Sequence, residues 1–398
     1  MHFPAEAGSG ATLPPIHQSS AFAYDSAEKL EKVFQGKMPG FAYTRIGNPT
    51  VATFENRIAS IEGAMSAVAT SSGMAAVSMA LLNILQSGDE LISASGLFGG
   101  TLDLFHDFEK LGIHTRYVDT VTAESVRGAF TSKTRAVFAE LIGNPKLDVV
   151  DVESVGKVCS ELGIPLIIDS TTATPALVRP IDLGASIVVH SSSKYISGQG
   201  NAISGVILDG GKFLWNGKFG ALSEYLNFGK MAFTIRLRQD TWRNFGPCMA
   251  PENAFFGILG LETLGLRMDR ICDNAAKLAR SLARNPSISS VNYPTLGEYS
   301  DVSNRTLGGK GGGILTIRTG SRERAIGLIN GLKIAKIATN IGDVRTLVIH
   351  PDSTIYLHCS LEGKVNAGVF DDLIRVSVGI EDPEDLIEDF RQAAEKAL

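Results

Sequence analysis

A chain of 398 residues exceeds what one hydrophobic core usually serves, so two domains are expected. A hydrophobic content of 44% with 42 glycines fits a compact α/β protein with many tight turns, and a formal net charge of −5 without any long charged block argues against nucleic acid or an anionic membrane as partner. Cys159, Cys248, Cys272 and Cys359 are scattered without Cys/His ligand spacing, so they read as reduced, buried thiols of a cytoplasmic protein, and no metal is expected.

In chain order, Met1-His-Phe-Pro-Ala-Glu lacks the basic region and apolar core of a secretory signal, so export is not expected. The first forty-odd residues are rich in Gly, Pro and Ser and read as an extended arm containing Tyr43-Thr-Arg45. From Gly63 to Gly88 there is no charge, but serines, threonines, Gly73 and Asn83 punctuate the stretch; a strand, a turn and a buried helix fit it better than a membrane span. The turn, Ser71-Ser72-Gly73-Met74, would open the helix with free N–H groups, a ready anion site.

Strand-like runs then alternate with helical stretches: Ala67–Thr70, Glu90–Ser93, Thr115–Val118, Ala136–Ala139, Leu166–Asp169 and Ile187–His190. Such alternation predicts an α/β fold with a mostly parallel sheet covered by helices. Asp169 closes one apolar run, and Lys194 follows the next inside His190-Ser-Ser-Ser-Lys194-Tyr195. Parallel strands ending in Asp and Lys point both side chains into one crevice, where open α/β sheets place their ligand chemistry. A partly desolvated lysine amine can attack an aldehyde, and an aspartate can hold a pyridinium nitrogen protonated, which together suit pyridoxal phosphate. Past Pro251 a helical period runs beyond Arg280 and hands the chain to a smaller α+β domain, in which Ile314–Arg318 is a strand. Gly308-Gly-Lys-Gly-Gly-Gly313 lacks the spacing of a phosphate loop and reads as a surface turn.

Five motifs in order, Tyr43-x-Arg45-x-x-Asn-Pro-Thr50, Ser72-Gly-Met74, Asp169-x-Thr171-x-Ala-Thr-Pro175, His190-Ser-x-Ser-Lys194-Tyr195 and Arg375-x-Ser-Val-Gly-Ile-Glu-Asp382, give the chain a resemblance to the Cys/Met metabolism family of pyridoxal-phosphate enzymes. The resemblance implies a type I fold with an arm (1–48), a cofactor domain (49–247) and a C-terminal domain (248–398), assembled as dimers and usually tetramers. It implies that Lys194 is the Schiff-base lysine and proton shuttle and that Asp169 holds the ring nitrogen. Ser72, Gly73, Met74, Ser191 and Ser193 would hold the phosphate, with Tyr43 and Arg45 reaching in from a partner subunit. Asn144 and Thr171 would line the ring, Phe98 would stack on it, and Arg375, helped by Asn340, would grip the substrate carboxylate.

Within the family, Gly143-Asn-Pro-Lys-Leu-Asp-Val-Val-Asp151, Gly205–Phe213 and Asn340–Pro351 are nearest to the O-acetylhomoserine sulfhydrylase branch. That resemblance implies γ-replacement on O-acetyl-L-homoserine with sulfide or a thiol to give homocysteine or methionine and acetate; it leaves open a succinyl ester and sulfur from a carrier protein. Cystathionine γ-synthase and the γ-lyases are the alternatives, and a non-catalytic cofactor-binding protein is a remote one. Much of the family has a tyrosine where Phe98 stands in Leu97-Phe98-Gly-Gly-Thr101, and the loss of that phenol favours an activated ester whose leaving group departs without protonation.

Overall fold

The protein is described here by a computed structural model covering residues 10–397. The opening hexapeptide read above for an export signal lies outside those residues, as does the start of the arm. The larger sheet contains β1 (Ser66–Thr70), β2 (Glu90–Ala94), β3 (His114–Val118), β4 (Thr134–Glu140), β5 (Leu166–Asp169), β6 (Ile187–His190) and β7 (Gly205–Asp209), in the order β1-β7-β6-β5-β4-β2-β3. Ladders β3–β2, β2–β4, β4–β5 and β5–β6 are parallel, so the expected mostly parallel sheet is present.

Its central strands are continuous apolar runs because helices cover both faces and neither face meets water. Ile167, Ile168, Val188 and Val189 are all fully buried. The helix Val152–Leu162, which returns the chain from β4 to β5, starts where the Asp151 side chain accepts the Ser154 N–H at 3.1 Å and ends at Gly163, whose φ of 66° closes the last turn.

The sequence pattern passed over β7. It is buried at every residue and antiparallel to both β6 and β1. A short run buried on both faces has no alternation to mark it as a strand.

A second sheet, β8 (Ser290–Asn292), β9 (Ile314–Arg318), β10 (Lys336–Ile337), β11 (Leu347–Ile349) and β12 (Leu373–Ser377), runs in the order β10-β11-β12-β9-β8 and is antiparallel except at β10–β11. Helices Arg322–Gly331 and Pro383–Lys396 pack on it through Leu328, Ile329, Leu386 and Phe390, which share a core with Ile317 and Ile374. The expected long helix spans Pro251–Leu282. Its residues up to Cys272 belong to the core of the large sheet, whereas Ala275, Leu278, Ala279 and Leu282 belong to that of the small one. One continuous helix thus serves both cores and fixes the distance between them. No described helix is long and apolar enough to cross a membrane.

The glycine cluster is not the surface turn its composition suggests. Gly308 closes the helix Ser300–Leu307 with a φ of 61°, but Gly311, Gly312 and Gly313 are buried. A Cβ on Gly311 would lie 2.5 Å from the Tyr293 ring, and one on Gly313 would lie 2.5 Å from Ile271 and 2.8 Å from the Tyr195 hydroxyl. These glycines let the chain entering β9 pass against two buried tyrosines.

The long helix also braces the Lys194 turn. A Cβ on Gly260 would strike the Ile196 carbonyl oxygen, and Arg267 donates to the carbonyls of Tyr195 (2.6 Å), Ile196 (3.0 Å) and Gly260 (2.7 Å). Gly260→Ala, by overpacking this contact, is expected to destabilise the protein by about 1–3 kcal/mol. The check is a lower midpoint of chemical denaturation than in the parent, together with weaker retention of pyridoxal phosphate.

Candidate active site

The parallel neighbours β5 and β6 do place their C-terminal ends side by side, with Asp169 beside Val189 in the ladder. A cavity of about 380 Å³ opens beyond these ends, and both Asp169 and Lys194 line it. Ser72, Gly73, Met74, Phe98, Asn144, Thr171, Ser191, Ser193 and Arg375 line it as well, so the structure brings most of the expected site residues together.

The anion end of the cavity is the start of the helix Gly73–Leu82. Ser72 caps it by accepting the Ala75 N–H at 3.1 Å, which leaves the amides of Gly73 and Met74 at the open end of the helix dipole. Close approach makes the cradle: a Cβ on Gly73 would lie 2.5 Å from the Ser191 Cβ, and one on Gly205 would strike the Ser72 carbonyl oxygen. The serines divide their labour. Ser192 Oγ donates to Ser204 Oγ at 2.8 Å, while Ser193 Oγ donates to the Ser204 carbonyl at 2.9 Å and accepts the Ser204 N–H at 2.8 Å. The Ser193 proton is thus committed to bracing the turn, although its side chain borders the cavity.

Asp169 is half-buried at the cavity wall, and desolvation raises its carboxyl above the usual carboxylate range. Oδ1 accepts the Thr171 N–H at 2.9 Å, and the Thr171 hydroxyl accepts the Ser191 N–H at 2.8 Å. Across the cavity, Phe98 opens the helix Gly99–Lys110. A Cβ on Gly100 would lie 2.8 Å from the Phe98 ring, so that glycine makes room for it.

Arg375 comes from β12 of the small sheet and is buried. Nη1 donates to Asn144 Oδ1 at 3.1 Å and Nη2 to the Asn340 carbonyl at 3.3 Å. Nε has no partner and no described carboxylate pairs with the guanidinium, whose pKa burial pushes down to about 10. Asn340 also accepts the Lys194 Nζ–H on Oδ1 at 2.6 Å. It therefore joins the amine to the guanidinium. Desolvation first, and the Arg375 charge second, lower the pKa of Lys194.

Tyr43 and Arg45 are not brought to this cavity in their own chain. Tyr43 is half-exposed, the Arg45 guanidinium lies 5.5 Å from its ring centre, and Arg45 Nη1 donates to the Arg243 carbonyl at 2.9 Å. Sequence reasoning also missed residues that the cavity includes: Glu140, Thr339, Ile341 and Ile355. Glu140 carried a legible signal, an acid at the end of a buried parallel strand, the same signal that marked Asp169.

The family model described as Cys/Met metabolism PLP-dependent enzyme matches residues 2–395. The chain belongs to that family. It is 39% identical over 403 residues to an O-acetyl-L-homoserine sulfhydrylase of Leptospira meyeri, covering 95% of this chain and 91% of the relative. It is 37% identical over 410 residues to a homocysteine synthase of Schizosaccharomyces pombe, covering 98% and 96%. Among solved structures, a Campylobacter jejuni protein carrying N'-pyridoxyl-lysine-5'-monophosphate superposes with a TM-score of 0.94 at 32% identity, covering 99% of this chain and 98% of that one. Cystathionine γ-synthase of Xanthomonas oryzae pv. oryzae superposes with a TM-score of 0.86 at 28% identity, covering 98% and 95%.

The cavity fits pyridoxal phosphate on its own terms: a helix-start cradle that a Cβ would fill, a desolvated aspartate at the wall without a bonded cation, and a lysine with a lowered pKa. Only the neutral amine attacks an aldehyde, and the Arg375 charge disfavours the ammonium form. The rate at which the apoprotein takes up pyridoxal phosphate should therefore rise with pH about a midpoint below the ordinary lysine value of 10.5. In Arg375→Gln the ammonium persists to higher pH, so that midpoint should move up, as followed by visible absorbance after mixing.

Proposed function

We propose that this enzyme carries out γ-replacement on O-acetyl-L-homoserine, exchanging acetate for sulfide or a small thiol to give homocysteine or methionine. The observation that carries the reading is that Lys194 and Arg375, which both line the cavity, are joined by Asn340, while the remaining wall includes Val77, Ile142, Ile203, Ile341 and Ile355. The Arg375 fork, with its unpaired Nε, suits the α-carboxylate of an amino acid and sets its α-carbon toward the amine. Pyridoxal phosphate, when bound, supplies the electron sink that makes the α- and β-protons acidic enough to leave. Lys194 Nζ receives those protons and returns them, and Asn340 Oδ1 keeps it on one side of the substrate. Asp169 would hold the ring nitrogen protonated, from a site where desolvation outweighs the Thr171 hydrogen bonds to its carboxyl.

The apolar wall accommodates a neutral acetyl group. Among the described residues, Lys194 and Arg375 are the only cationic side chains lining the cavity, and each already has a role, so a succinyl carboxylate would meet no partner there. Phe98 offers no acidic hydroxyl to the leaving group, which suits acetate. We further assign Tyr43 and Arg45 to the phosphate of a neighbouring subunit, in a homo-oligomer of at least two chains, and place the enzyme in the cytoplasm, where its four free cysteines stay reduced.

Homocysteine formation measured with each acyl-homoserine and with sulfide, methanethiol or a sulfur-carrier protein tests the reading. O-acetyl-homoserine should exceed O-succinyl-homoserine in kcat/KM by about tenfold or more. Lys194→Ala should abolish both turnover and the visible absorbance of the loaded protein. Release of ammonia from cystathionine or methionine, with no product from any acyl-homoserine, would overturn the assignment.

A further inference from the structure

Glu140 ends β4 one strand away from Asp169, its partner in the β4–β5 ladder. Burial and the neighbouring Asp169 charge raise its carboxyl well above the usual range, so the fold keeps this group at a cost. Its two oxygens face two different loops. Oε1 accepts the Phe98 N–H at 2.8 Å, and Oε2 accepts the Asn144 N–H at 3.1 Å. The buried Tyr356 hydroxyl lies between carbonyls of the same two loops, 2.9 Å from Leu97 O and 3.2 Å from Asn144 O. Asn144 in turn receives Arg375 Nη1 on its side chain.

We propose that Glu140 is a positioning residue for this reaction, forming with Tyr356 a clamp that sets the Phe98 ring and, through Asn144, the direction of the Arg375 fork. The assignment rests on the reading of Arg375 as the carboxylate grip. A carboxylate is needed because two diverging N–H groups require two acceptors, and an amide of the same shape has only one oxygen to offer. The phenol comes from the segment after β11, so the clamp also ties the small sheet to the loop that carries Phe98.

The test uses the loaded enzyme and two near-isosteric variants, Glu140→Gln and Tyr356→Phe, singly and together. Two readouts are taken: steady-state kinetics with O-acetyl-homoserine and sulfide, and spectral titration with L-norleucine, an amino acid without a leaving group. Glu140→Gln frees one loop, so KM and the norleucine dissociation constant should both rise about ten- to a hundredfold, the usual weight of a hydrogen bond to a buried charge. The change in kcat should be smaller, and the visible circular dichroism of the bound cofactor should change as Phe98 moves. Because both variants act on the same two loops, the loss in the double variant should be less than the product of the single losses. Norleucine binding within twofold of the parent with unchanged dichroism, or single losses that multiply independently, would overturn the clamp. Failure of every acyl-homoserine as substrate would count against the proposed function instead, since the norleucine titration does not depend on it.

Discussion

Two cations meeting at one asparagine set the terms for the rest of this site. Arg375 and Lys194 both line the cavity and both reach Asn340, one at its backbone oxygen and one at its side chain, and burial desolvates both cations. Two like charges at that range cannot both be comfortable. The guanidinium spreads its charge and is held at two nitrogens, so the amine is the group that yields. A positive charge meant for a carboxylate therefore also prepares a nucleophile, and one arrangement serves both binding and proton transfer.

That arrangement lasts only while Asn340 stays in place, and the loop carrying it is stitched to the lysine turn. Gly342 has a φ of 75°, and a Cβ there would lie 2.5 Å from the Tyr195 nitrogen. Its N–H donates to Ser377 Oγ at 3.0 Å on β12, two residues beyond Arg375, and the Val344 N–H donates to the Gly198 carbonyl at 2.9 Å. Gly198 in turn lies against Arg267 of the long helix. The amine, the asparagine and the guanidinium thus come from segments locked by backbone contacts, which is how a site holds reacting groups in place without relying on side-chain stiffness.

How much of this was legible in the chain depended on how local the signal was. Asp169 and Lys194 could be paired from sequence because successive parallel strands are neighbours and their ends share a crevice. Arg375 and Asn340 became visible only through family resemblance, since they lie on another sheet and spacing along the chain carries no information about that contact. Ser193 is a phosphate residue only by family resemblance, and its bonds to Ser204, beyond the lysine turn, are not legible from local spacing. The glycines at 311–313 look like a turn by composition, and only the tyrosines packed on them show a crossing. Glu140 met the strand-end rule applied to Asp169, but β4 was read as stopping at Ala139, one residue short of it.

The two half-buried carboxyls and the two cations do not pair with one another across the site. Asp169 bonds to an amide and Glu140 to two amides, neither to a cation, while Arg375 bonds to oxygens of amides and none of carboxylates. Asp169 and Arg375 are thus left to be matched from outside, by a ring cation and by a carboxylate, as the helix start is by an anionic phosphate. A ligand bringing those charges relieves desolvation that folding has already imposed, so binding is favoured by the same groups that cost the fold stability. Glu140 gains no external partner in this scheme. Its carboxyl is accounted for by the two N–H groups it holds, and that separates a residue that arranges the site from those that touch what enters it.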